Sequence, residues 1–85
     1  MTAAAGEKLL IFPAGMAQAL AFQRRCQREG LATVGASSLH HDTSREQYDR
    51  WAFLPYVVDP GFAGALLQLV RQQGITGIYT PNLVV

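Results

Sequence analysis

Charged residues and cysteine are both scarce in this sequence. Only 15% of the 85 residues are charged, against about 25% in an ordinary soluble domain, so part of the surface is expected to face something other than water. The formal net charge of +1 produces no strong field to attract nucleic acid or an anionic membrane. Cys26 is the single cysteine, which excludes an internal disulfide and is typical of a reducing compartment. We therefore expect a cytoplasmic protein that binds neither nucleic acid nor membrane.

Long apolar runs are missing as well. No segment approaches the roughly 20 apolar residues of a membrane span, and the run from Leu9 to Phe12 is too short for the core of a signal peptide. The first seven residues are rich in alanine and contain no lysine or arginine. The sequence therefore predicts a disordered tail over residues 1–7 and one small α/β domain over residues 8–85.

Four short apolar segments predict buried strands, because they lack the alternation of a strand with one face in water. They lie at residues 8–12, 32–36, 53–58 and 77–80. Pro55 has no N–H to donate to a neighbouring strand, so the third strand is expected at an edge of the sheet.

Two helices are predicted between these strands. The first follows Gly15 and ends at Gly30, a residue suited to the left-handed C-terminal position of a helix. The second begins with Asp59 as N-cap and Pro60 as its first residue, and runs to about Gln73.

The remaining polar segment and the order of elements complete the predicted fold. Thr43 and Glu46 resemble a capping box, which predicts one or two helical turns before Trp51. The order β-α-β-loop-β-α-β implies parallel strands with right-handed crossovers. We predict a three-layer, Rossmann-like four-stranded parallel sheet in the order 3-2-1-4, with helices on both faces.

This topology predicts where a ligand would bind. In open α/β sheets ligands lie outside the carboxyl ends of the strands, where the winding of the chain reverses, which here is between strands one and four. We therefore predict a substrate cleft at Pro13, Ala14, Gly15, Met16, Thr80, Pro81 and Asn82. The loop is not a phosphate loop, because it lacks both the three spaced glycines and the Gly-Lys-Ser/Thr pattern. A lone glycine is better explained by a tight turn.

No combination of residues completes a catalytic or metal site. His40 and His41 are adjacent, so on an extended chain they point to opposite sides and lack further ligands at suitable spacing. Cys26 lies on the apolar side of the first helix, where it acts as a small hydrophobe. Ser37 and Ser38 lack the flanking pattern of a nucleophile elbow. We predict no catalytic residue and no metal ligand.

A family resemblance extends over roughly residues 8–85. It rests on the segments Leu9–Phe12, Ala19–Phe22, Thr33–Ser38, Leu54–Pro55, Asp59–Phe62 and Gly74–Asn82. In order and spacing these segments resemble the N-terminal pre-ATP-grasp domain of ATP-grasp enzymes, a group that includes carbamoyl phosphate synthase large chains and many peptide-forming ligases.

The resemblance implies a leading domain in front of a larger catalytic part. In that family, ATP and magnesium lie between two later subdomains, which activate a carboxylate as an acyl phosphate for attack by an amine or similar nucleophile. The first domain packs on that body and lends loops to the substrate side. The lysines, acidic metal ligands and glycine-rich lid of the catalytic part have no match here. The resemblance therefore implies a domain that is inactive alone, binds no cofactor by itself and has the rest of such a ligase as its partner.

A free-standing receiver-like or flavodoxin-like interaction module is the alternative. A receiver needs acidic residues after its first strand, and the segment 13–15 supplies none, while Asp59 after the third strand is accounted for as a helix cap.

The isolated chain is expected to self-associate as a homodimer. This expectation rests on the low charge, the apolar residues 83–85 and an unprotected sheet edge at Ile78 and Tyr79.

We predict that this chain alone neither hydrolyses ATP nor binds it tightly, because it lacks a phosphate loop and metal ligands. Calorimetric titration with magnesium-ATP checks this expectation. A one-to-one complex of low micromolar affinity would contradict it.

Overall fold

The computed structural model describes residues 6–81; residues 1–5 of the expected tail, Asn82 and residues 83–85 lie outside that range. Four parallel strands form one sheet in the order β3-β2-β1-β4, which confirms the predicted order and direction. The strands are β1 (Lys8–Ile11), β2 (Ala32–Ser37), β3 (Trp51–Phe53) and β4 (Gly77–Tyr79). The helices are α1 (Ala17–Glu29) and α2 (Phe62–Gln73), with a short 3-10 helix at Thr43–Gln47.

The central strand β1 supplies the core on both faces of the sheet. Leu10 and Ile11 are neighbours on β1, so their side chains point to opposite faces, and both are completely buried. Leu10 lies in a cluster with Leu69 of α2, whereas Ile11 lies in a cluster with Ala19 of α1. One helix therefore covers each face, as predicted. Neither helix of residues 6–81 has the length and apolar character needed to cross a bilayer.

The third strand is shorter and begins earlier than predicted. The prediction of a strand over residues 53–58 is wrong, since β3 ends at Phe53. Leu54 still donates its N–H to the carbonyl of Ser37 at 3.0 Å, but Pro55 has no N–H with which to continue the ladder. Beyond it the chain turns away from the sheet, and Val58 is 93% exposed.

Local side-chain hydrogen bonds displace the predicted starts of α2 and of the 3-10 helix. The Asp59 carboxylate accepts from the N–H of Gly61 at 2.7 Å, which makes residues 59–61 a turn before the helix, and α2 begins at Phe62. In the polar segment Asp42, not Thr43, caps the helix by accepting from the N–H of Ser44 at 3.0 Å. Asp side chains favour such turns because they bond to a backbone N–H two residues on.

A buried polar pair ties α1 to the sheet. Gln23 interrupts the apolar face of α1 and is only 1% exposed. Its carbonyl oxygen accepts from the hydroxyl of Thr33 at 2.6 Å, and its amide donates to the carbonyl of Gln47 at 3.1 Å. Because buried polar groups are stabilised only when they are hydrogen-bonded, this glutamine also holds the end of the 3-10 helix in place.

Close packing of Tyr48 on β2 requires a glycine at position 35. A Cβ atom placed on Gly35 would lie 2.6 Å from Cγ of Tyr48, which is far inside van der Waals contact. The phenol hydroxyl of the same tyrosine donates to the carbonyl of Ala14 at 2.9 Å. Tyr48 thus connects β2 to the loop between β1 and α1.

Gly35→Ala is expected to lower the free energy of unfolding by about 1–3 kcal/mol, the usual cost of overpacking a core. Gly64→Ala is the matched control, because a Cβ on Gly64 meets no atom within 4 Å and alanine stabilises a helix by about 0.5–1 kcal/mol relative to glycine. Urea denaturation of both variants measures the difference. Equal stability of the two variants would contradict the packing role of Gly35.

Candidate functional site

A cleft of about 640 Å³ opens at the carboxyl ends of the strands. Its volume lies in the range of about 300–1,000 Å³ that is usual for small-molecule sites. Leu10 and Phe12 from the central strand and its end line the cleft together with Phe62 and Leu66 of α2 and Ile78 of β4. Most of the lining is therefore apolar.

The structure brings the ends of the two predicted loops to this cleft. The N–H of Phe12 donates to the carbonyl of Tyr79 at 3.1 Å, which pairs the ends of β1 and β4. Of the seven predicted residues, four line the cleft: Pro13, Gly15, Met16 and Thr80.

Two of the other three predicted residues do not line it, and the third lies outside the described part of the chain. Ala14 is completely buried beside the cleft, where its N–H donates to the carbonyl of Ala36 and its own carbonyl accepts from Tyr48, both at 2.9 Å. Ala14 thus positions the loop and offers no surface to a ligand. Pro81 is not among the lining residues, and Asn82 lies outside the described residues.

Sequence analysis missed the contributions of three other segments. The first segment is the end of β2 with Ser37, followed by Ser38, Leu39 and Asp42. The second is Tyr56 and Val57 after β3, and the third is Phe62 and Leu66 of α2. The two serines carried a usable signal, because they follow a buried strand that neighbours β1 and therefore ends at the same edge. Leu39, Asp42, Tyr56 and Val57 had none, since they lie in irregular segments whose course depends on tertiary contacts. For Phe62 and Leu66 the predicted helix did not show which part of it reaches the carboxyl edge of the sheet.

Asp42 is the only carboxylate on the lining formed by described residues. Partial burial by itself would raise the pKa of this carboxyl, but hydrogen bonds from the side chain and backbone of Ser44 and the side chain of Ser37 lower it below its ordinary value. The Ser44 hydroxyl and N–H both bond to Oδ1, at 2.5 and 3.0 Å. Asp42 is therefore ionised at neutral pH.

Gly15 allows this carboxylate to lie against the start of α1. A Cβ on Gly15 would be 3.1 Å from Oδ2 of Asp42 and 3.3 Å from the hydroxyl oxygen of Ser44. A side chain at position 15 would therefore press on the carboxylate. Besides its place in the turn, Gly15 is thus needed to let Asp42 and Ser44 approach the backbone closely.

No cation neutralises Asp42 within residues 6–81. The only salt bridge there joins Arg25 and Glu29 of α1 at 3.6 Å, and the cleft lining contains no lysine, arginine or histidine. The cleft thus combines apolar walls with one uncompensated negative charge.

The remaining candidate groups of the described segment lie elsewhere. The ring of His40 stacks on Phe53, with ring centroids 5.1 Å apart, and no three histidine, cysteine, aspartate or glutamate side chains converge within residues 6–81. Cys26 is buried, and burial, with the nearby charge of Glu29, raises the pKa of its thiol. A thiol with a raised pKa is a poor nucleophile at neutral pH.

Comparison with protein-family models, with curated proteins and with solved structures gave no match. The fold and the cleft together define the class of molecule: an open α/β domain with a parallel sheet and an apolar site at its carboxyl edge.

Tyr48 makes the stability of the protein sensitive to alkaline pH. Burial, followed by the charges of Asp42 and Cys26, raises the pKa of Tyr48 from 10.0 to about 12. The folded state therefore keeps the Tyr48 proton to a higher pH than the unfolded state does. The stability that this difference contributes is fully present below pH 10.0 and is lost as the pH rises towards 12.

The Tyr48→Phe variant is therefore expected to lose less stability than the parent chain between those two pH values. Unfolding free energies measured by urea denaturation across that range check this. Tyr56→Phe is the control, because Tyr56 is 61% exposed, and it should behave like the parent chain. An unchanged pH dependence in Tyr48→Phe would contradict the assignment.

Proposed function

We propose that this chain is the leading domain of an ATP-grasp-type ligase and that its cleft faces the substrate side of the enzyme. The main support is one observation: the loops after β1 and β4 converge on a single cleft at the carboxyl edge of a 3-2-1-4 sheet. The family resemblance of residues 8–85 assigns the leading domain of such ligases loops on the substrate side. In this proposal the domain orients substrate and supplies no catalytic group.

An exposed apolar surface supports a partner that covers it. At the end of β3 and beyond it, Phe53, Tyr56, Val57 and Val58 are 52, 61, 65 and 93% exposed. Apolar side chains left in water are unfavourable, since removing apolar area from water lowers the free energy. We propose that the catalytic part of the ligase packs on Phe53 and Val58, the two of these residues that do not line the cleft.

The proposal also assigns the cofactors. ATP and magnesium would bind between later subdomains of the parent enzyme, which would transfer the terminal phosphoryl group of ATP to a substrate carboxylate. The resulting acyl phosphate would be attacked by an amine or similar nucleophile, releasing phosphate. The proposed location is the cytoplasm, because the sequence has one cysteine and it is a free, buried thiol.

The size and activity of the native polypeptide test this proposal. An antibody raised against the 85-residue chain should detect, in the source cells, a polypeptide several times larger than 9.3 kDa. After purification it should convert carboxylic acids from a panel into hydroxamates when supplied with magnesium-ATP and hydroxylamine, because hydroxylamine traps acyl phosphates. Heat-inactivated enzyme and reactions without ATP are the controls. A native polypeptide of 9.3 kDa, or a larger one that forms no hydroxamate with any acid, would overturn the proposal.

A further inference from the structure

We propose that the cleft binds a small organic cation, with a primary ammonium group directed at Asp42 and an apolar, preferably aromatic, body between β1, β4 and α2. The inference deepens the substrate-side role proposed above and rests on it for its place in a larger enzyme. It identifies the chemical class of the ligand, which the family resemblance leaves open.

The apolar walls determine the body of the ligand. Phe12 and Phe62 both line the cleft, with ring centroids 5.7 Å apart and planes inclined by 35°. Ile78 and Val57, 53 and 65% exposed, extend the apolar wall. An aromatic or branched aliphatic group that covers these side chains removes apolar surface of both partners from water. A strongly hydrated ligand such as a sugar phosphate would gain nothing from these walls.

The charge of the lining determines the head of the ligand. Asp42 is ionised, and no described cation pairs with it. The nearby N-terminus of α1 carries about half a positive charge, which offsets only part of a full carboxylate charge. An anionic ligand would meet a net negative site, whereas an ammonium group would be attracted to it.

Hydroxyl groups on the same lining match the remaining donors of an ammonium group. A primary ammonium has three N–H donors and no acceptor. Besides Asp42, Ser38 and Thr80 line the cleft, and each carries a hydroxyl oxygen that can accept a hydrogen bond. Among the described lining residues no basic side chain competes for these acceptors.

Three probes that differ only in the polar end of the molecule test the ligand class. The ¹⁵N-labelled 85-residue chain is titrated at neutral pH with 2-phenylethylammonium, 2-phenylethanol and 3-phenylpropanoate, and amide shifts are followed by NMR. We expect the ammonium compound to bind with an affinity in the millimolar range, as is usual for so small a ligand. It should bind more tightly than the alcohol, with the carboxylate weakest. Shifts should concentrate at Gly15, Leu39 and Ile78.

Two pairs of variants separate charge from packing. Asp42→Asn should weaken binding of the ammonium compound about fivefold, the scale of a partly exposed ion pair, and leave the alcohol unchanged. Asp49→Asn makes the same change outside the cleft and should alter neither. Ile78→Thr should weaken all three probes, whereas Val58→Thr, at an exposed position outside the lining, should weaken none.

Equal affinities for the three probes, tightest binding of the carboxylate, or no saturable binding would each overturn the ligand class. So would an Asp42→Asn variant that retains its native spectrum and binds the ammonium compound as tightly as the parent chain. None of these results depends on the hydroxamate assay of the native polypeptide, so failure of the ligand class is distinguishable from failure of the ligase proposal.

Discussion

The contact of Tyr48 with Gly35 and Ala14 is the interaction on which the site depends. The ring packs on β2 where a glycine leaves room for it, and the hydroxyl bonds to the carbonyl of Ala14 at 2.9 Å. That single side chain joins the second strand, the loop after the first strand and the 3-10 helix that Asp42 caps. Because these segments are distant in sequence, Asp42 reaches the cleft only when this contact has formed.

The chemistry of the cleft depends on the residues around Asp42. The serines near its carboxylate are engaged in hydrogen bonds: Ser44 donates to Asp42, and Ser37 accepts from the N–H of Leu39 at 3.0 Å. They hold the charge in position and leave it uncompensated by any described cation. Apolar side chains form most of the lining around this charge, and charge interactions strengthen where the dielectric constant falls. Among the described residues, the lining therefore presents one hydrogen-bonded carboxylate within a mostly apolar surface.

Most of the fold could be predicted from the sequence because local and global preferences agree. The apolar segment at β1 suits only a strand buried on both faces, and Gly30 and Gly74 end both helices at φ of 74° and 67°, where a side chain would be strained. Predictions failed where a short polar side chain redirected the backbone. Asp59 and Asp42 each bond to an N–H two residues on, which moved one helix start later and made a different residue the cap of the other. Pro55 is compatible with an edge strand, so sequence alone could not show that the strand ends before it.

The sequence by itself determined the strand order, the direction of the strands and two of the loops at the cleft, since these follow from the alternation of elements and the handedness of their crossovers. Tertiary structure decided which side chains the cleft presents. Ala14 is buried because its backbone groups pair with Ala36 and Tyr48. Asp42 and Phe62 line the cleft although no pattern in the sequence placed them there. The physical reason is that strand direction is set by short-range patterns, whereas the position of a loop side chain is set by contacts between residues far apart in the chain.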